Sequence, residues 1–364
     1  MQAAGVGFTD NYQYVCAQFC CDNQENKKHM SLRRTKFPDR FAILPSESYR
    51  FGPEQASSTR FEIMAQTNLP DGARVLAINE GLIALDFTNS PELGDITVSR
   101  FEGSGEVPQK AMEDQERALE IQGSRMRLAT YVTACVFGAH AYSTNSTISN
   151  ALFPGLHEIF AWVEPMPGAF GIPAPDTHTL ASRLKHRTAR PEFIPTDHIR
   201  MGFDLATRLL TARPTYSVAD PTSLIVMTYQ AMILHNRQHS GASIALSALV
   251  AEAALEELVF ACGLVDGFPA RLSVAGTVTP MSKRAVGSLK LKGRIEALSQ
   301  VNALNDYLVL RLEKLRNARN VLMHEGQDAT PRQAGEGLTA VRDLLRICTG
   351  ESEYELNMGW SYRY

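Results

Sequence analysis

The stretch 312–326, LEKLRNARNVLMHEG, gathers the side chains best suited to chemistry: Arg316, Arg319, Asn320 and His324. An imidazole accepts or gives a proton near neutral pH. A guanidinium presents a rigid planar fork of donors to a phosphate. Together they meet two needs of RNA cleavage by its own 2′-hydroxyl: a base for that hydroxyl, and a fixed cation for the charge that develops on the phosphate. Asn320 can orient either the imidazole or the phosphate. Such cleavage leaves a 2′,3′-cyclic phosphate and a 5′-hydroxyl. No metal-ligand cluster accompanies these residues, so metal-independent cleavage with no cofactor is the simplest mechanism.

A helix must position them. Leu308, Leu312, Leu315 and Leu322 recur at 4-3-7 spacing and mark a buried stripe on a helix over 304–324. Arg319 falls in the gap of that stripe, where a guanidinium must be paired or must face an interface. Arg316, Asn320 and His324 follow one another at i, i+4 and share an adjacent face. Gly326 ends the helix, which places His324 in an accessible last turn. Thr330-Pro331 then opens another helix to 348, with Thr as N-cap and Pro at N1. Upstream, 222–235, 241–263 and 282–299 read as helices, with a break at 267–280. The C-terminal part is therefore a compact helical bundle.

This segment resembles the HEPN superfamily, whose hallmark is an R-x4-6-H motif late in a helical bundle, commonly with Asn after the Arg. The match here is Arg319-Asn320-Val321-Leu322-Met323-His324, followed by Glu325-Gly326. The helix around 247–259, SALVAEAALEELV, is similar to the family's earlier helix with its acidic residue. Glu256 matches that position best, with Glu252 as the alternate, and Glu256 is expected to hold Arg319 by a charge-assisted pair. The resemblance covers roughly 220–348. It implies catalytic roles for Arg319, His324 and Asn320, supported by Glu256 and Arg316, and a homodimer in which two Arg/His motifs face each other. The activity implied is an endoribonuclease of a bacterial toxin or antiviral-defence type. The rival from another class is a non-catalytic HEPN-like helical module that binds a nucleotide or a partner protein.

Charge distribution bears on the polyanion. The net charge is −3, yet 271–346 holds 13 Lys/Arg against 7 Asp/Glu. A cationic region on an otherwise acidic chain fits a local polyanion site. Lys283, Arg284, Lys290, Lys292 and Arg294 are the expected RNA-binding residues. A basic solvated helical face is the plain alternative.

The first third is β-rich. Short alternating segments at 60–64, 74–78, 82–87 and 96–101 are separated by turn signals at 69–72, 79–81 and 89–91. A helical pattern follows from 109 to 142. Seven prolines then punctuate 143–196, which reads as a connector or long loops. The expected class is α+β: a β-rich domain at 1–108, a helical and Pro-rich region at 109–219, the bundle at 220–350, and an acidic, aromatic tail at 351–364. The first 200 or so residues would sense a trigger protein or restrain the activity.

Other constellations carry less. Cys16, Cys20, Cys21 and His29 invite a zinc reading, but C-x3-C-C-x7-H is not a common finger spacing, and thiols without metal remain the alternative. His178, His186 and His198 lie in the Pro-rich region without an obvious partner. No P-loop, dinucleotide fingerprint, HExxH or GxSxG motif occurs. Six cysteines in 364 residues do not make a disulfide scaffold, and no apolar run reaches membrane-spanning length, so a cytoplasmic protein with no membrane partner is expected.

Overall fold

A computed structural model of the chain describes residues 31–36, 39–46, 48–53, 62–94, 97–102, 109–145, 159–161 and 192–355. The Cys16/Cys20/Cys21/His29 cluster, His178 and His186 lie outside the described residues. The class is mixed α+β, as expected.

Strands β1 (Ser31–Lys36), β2 (Arg40–Ile43), β3 (Tyr49–Phe51), β4 (Ile63–Asn68), β5 (Arg74–Ile78), β6 (Leu82–Asp86) and β7 (Thr97–Glu102) precede the first helix, and β8 (Ile159–Ala161) and β9 (Glu192–Ile194) follow it. Five form an antiparallel sheet in the order β4-β5-β6-β2-β8, β1 pairs with β7, and β3 pairs in parallel with β9. The near-continuous apolar runs RVLAI and LIALD make β5 and β6 the buried centre of the sheet. Their turn needs Gly81, whose φ is +76° and whose absent Cβ would lie 2.3 Å from the Tyr49 carbonyl oxygen.

The helices are α1 (Gln109–Thr144), α2 (Thr196–Ala212), α3 (Pro221–Asn236), α4 (Ser240–Ala261), α5 (Lys283–Ser288), α6 (Leu291–Gln300), α7 (Asp306–Glu325) and α8 (Pro331–Thr349). The single helix expected over 282–299 is two. Gly287 and Ser288 weaken helical continuation, Leu289 turns extended, and its side chain packs back on Gly293. The expected N-cap at Thr330 is a full capping box with Gln333, and Pro331 sits at N1.

Helix α1 joins the two halves. Its Phe137 lies 5.3 Å from the Tyr49 ring on β3 and 6.3 Å from the Tyr229 ring on α3. Fully buried Arg125 donates to the Leu93 carbonyl at 2.6 Å and lies 4.9 Å from the Phe87 ring, fixing α1 to the sheet loops. Buried apolar residues from Phe41 to Tyr354 form one contiguous core.

Candidate functional site

On α7, Leu308, Leu312, Leu315 and Ala318 are buried, while Arg319, Asn320 and Leu322 are half-buried. Arg319 lies on the line of that stripe, and Ala318 adds to the buried face beside it. Burial thins toward the C-terminal end of α7, where 319–322 are half-buried and 323–326 exposed. His324 is exposed in the last turn, and Gly326 caps the helix with a φ of +67°.

The Arg319 guanidinium donates to the Asn320 side-chain oxygen at 3.4 Å. Among the described residues no carboxylate lies within 4.0 Å of it. That sets it apart. The other described arginines that are buried or half-buried, Arg40, Arg50, Arg74, Arg125, Arg294, Arg311, Arg316, Arg342 and Arg346, each have a carboxylate oxygen between 2.7 and 3.7 Å away.

The expected Glu256–Arg319 pair is not formed. Glu256 receives Arg294 of α6 at 3.0 Å, and Arg294 also donates to the Glu252 carbonyl at 3.0 Å. Arg294 is buried on the same face as Leu291, Ile295 and Leu298, so its charge requires that carboxylate. Arg294, expected to bind RNA, is instead buried and held by Glu256 and the Glu252 carbonyl. Arg316 is engaged by Glu313 at 2.8 Å. Lys283, Arg284, Lys290 and Lys292 are all exposed. Lys292 lies 3.5 Å from Glu296, and Lys283 stands 5.7 Å from the Phe268 ring. Much of the positive balance of 271–346 is spent on pairs; Lys283, Arg284, Lys290 and Arg319 have no carboxylate within 4.0 Å among the described residues.

One residue missed in the sequence, Gly241, packs against the end of α7. A Cβ on Gly241, in the first turn of α4, would lie 2.3 Å from Asp328 Oδ1 and 3.2 Å from Leu322 Cδ1. The His324 turn is thereby anchored before and after by contacts to one glycine. Glu257 was also missed. It is fully buried and accepts from the backbone N–H groups of Ser217, Val218 and Ala219 at 2.7–3.1 Å and from Arg271 at 3.2 Å. The signal was present: α4 is apolar nearly all round, so a carboxylate within it has little chance of staying wet.

His198 does have a partner, His140, with Nδ1 atoms 3.0 Å apart. Cys135, Cys262 and Cys348 are buried free thiols, and burial pushes Cys348 up to about 12, away from the thiolate. Among the described residues no group of three or more His, Cys, Asp or Glu is arranged to hold a metal ion, and no helix is long and apolar enough to cross a membrane.

No family model matches the chain, and no curated protein and no solved structure is found to match it.

Proposed function

We propose that the chain is a metal-independent endoribonuclease of the HEPN type, with residues 220–350 as its catalytic bundle. The observation that carries this reading is the uncommitted Arg319: a half-buried guanidinium without a carboxylate, on the helix that ends in exposed His324. His324 takes the proton of the 2′-hydroxyl, whose oxygen attacks phosphorus. The 5′-oxygen leaves with a proton from an acid. Arg319 stabilises the extra negative charge on the phosphate oxygens, and Asn320, beside it, orients the fork. Lys283, Arg284 and Lys290 supply uncommitted surface charge for the rest of the RNA, joined by Lys292.

One motif supplies one imidazole, and leaving-group protonation needs a second acid. A homodimer provides it from a second copy's His324. Leu310, which α7 leaves exposed on the same side as His324, supports that side as the contact. The β-rich N-terminal region would restrain the activity or receive a trigger protein, in a cytoplasmic toxin or antiviral-defence setting.

The test is incubation of the purified chain with total RNA in EDTA, followed by sequencing of cleaved ends. The expected products carry 2′,3′-cyclic phosphates and 5′-hydroxyls. Arg319→Ala and His324→Ala should each lower the rate by about 100-fold or more and cost less than about 2 kcal/mol of stability. Intact RNA after incubation would end the ribonuclease reading and favour the non-catalytic module that binds a nucleotide or a partner protein.

A further inference from the structure

Three elements meet around His140. It is 6% exposed near the C-terminus of α1, and its Nδ1 lies 3.0 Å from Nδ1 of His198, in the first turn of α2. The Tyr49 ring of β3 stands edge-on to it at 6.0 Å. Strand β9 leads straight into α2 and is tied to β3 through the Glu192 N–H to the Ser48 carbonyl and the Gly52 N–H to the Ile194 carbonyl. Gly202 lets α2 approach the α1 backbone, since a Cβ there would lie 2.4 Å from Val136 Cα. The histidine pair is the polar contact at the open end of this close helix crossing.

Its chemistry permits few protonation states. Two nitrogens 3.0 Å apart share one hydrogen: one ring carries Nδ1–H and the other accepts with a bare Nδ1. A first added proton is tolerated, because an imidazolium on one side still donates to a neutral imidazole on the other. A second puts an Nδ1–H on both rings, so two hydrogens occupy one gap and two cations face each other. The surroundings offer no relief. On α2, Asp197 and Arg200 are exposed and lie 3.5 Å from each other. Glu192 of β9 is exposed and sits opposite Tyr49, Arg50 of β3 is drawn to Glu80 at 3.7 Å, and no carboxylate of the described residues lies within 4.0 Å of either ring.

We propose that the joint of α1, α2 and β3 is a proton-sensitive latch, closed by a single His140–His198 hydrogen bond and opened when both rings are protonated. Burial, and then the neighbouring His198, hold His140 down to about 4 from its ordinary 6.5. A base held below its ordinary value is neutral in the closed state. Closure is therefore undiminished above about pH 6.5 and is lost progressively as pH falls toward about 4. At about pH 5 the same values shift the opening equilibrium by about 30-fold relative to neutral pH.

Hydrogen exchange on the full chain, corrected for intrinsic rates, tests this. Amides of 139–144 and 196–200 should open about 30-fold more at about pH 5 than at about pH 7.5, while those of α8 stay constant. His198→Asn, at a half-exposed position in the first turn of α2, removes the facing imidazole and should lessen the response, leaving the part that burial of His140 sets. The double variant His140→Gln/His198→Asn should abolish it. A flat wild-type response, or one as steep in His198→Asn as in wild type, would overturn the latch. The second result would assign the pH dependence to burial of His140 alone.

Discussion

Replacing Glu257 probes a fully buried carboxylate of the bundle. Its two oxygens serve three consecutive backbone N–H groups and one guanidinium. Arg271 also stacks 4.3 Å from the Tyr216 ring, so ring, guanidinium and carboxylate form one unit ahead of α3. Glu257→Ala removes every acceptor at once. Unsatisfied buried donors cost about 1–3 kcal/mol each, but Ser217 and Val218 are exposed and their N–H groups can turn to water. The loss therefore falls near the value for breaking a buried charge pair, about 4 kcal/mol. Glu257→Gln keeps one oxygen for Val218 and Ala219, yet turns an amide NH2 toward the Arg271 and Ser217 donors, for about 2 kcal/mol. Arg271→Ala leaves three donors on the carboxylate and should cost about 1 kcal/mol. Urea unfolding, extrapolated linearly, measures all three. An alanine variant within about 1 kcal/mol of wild type, or a glutamine variant equal to it, would refute the reasoning.

Three other outcomes are expected. Arg294→Ala, which removes a buried side chain and leaves Glu256 partly open to water, should destabilise by about 1–2 kcal/mol and leave the salt dependence of RNA binding unchanged; a changed salt slope would place Arg294 on the RNA surface. RNA affinity should fall steeply with salt, and charge reversal at Lys283 and Lys290 should weaken binding without altering the cleaved ends, whereas a salt-insensitive affinity places the RNA elsewhere. Mixing wild-type with His324→Ala chains should lower activity faster than in proportion to the mutant fraction if the site is composite; linear loss, or a monomer that cleaves, rules the shared site out.

What could be read from the sequence follows from the range of each signal. Local chemistry was legible: the Thr330-Pro331 start, the Gly81 turn and the leucine stripe of α7 all depend on neighbours within a few residues. Arg294 was legible in principle, since it stands three residues after Leu291 and four before Leu298, on the buried face, but a run of five cations concealed it. The His140–His198 contact joins residues 58 positions apart, and the Glu257 loop staple spans about 40, so no local pattern names the partner of either. The break at Leu289 turned on a weak propensity deficit at Gly287-Ser288, decided by how Leu289 packs on Gly293. Around the candidate site, the helix that carries Arg319, Asn320 and His324 and its end at Gly326 were readable, and the ion pairs were not. Which carboxylate serves which arginine depends on helix crossing, and Glu256 went to α6 rather than to α7.

Under the proposed function, packing and catalysis make opposite demands at Arg319. A leucine there would complete the 4-3-4-3 stripe between Leu315 and Leu322. It would gain apolar burial and forfeit no ion pair, because the arginine makes none among the described residues; its hydrogen bond to Asn320, at 3.4 Å, is long. Half-burying a leucine contributes about 1 kcal/mol, while an arginine there gives up hydration and receives little in exchange. Arg319→Leu should therefore raise stability by about 1 kcal/mol in urea unfolding and abolish RNA cleavage, and Arg319→Lys should keep the fold and recover only part of the rate, since an ammonium cannot offer a planar fork. A residue kept only to tie helices together predicts the reverse: leucine would destabilise, by removing the tie. Lower stability together with unchanged cleavage in Arg319→Leu would end the catalytic assignment of this arginine.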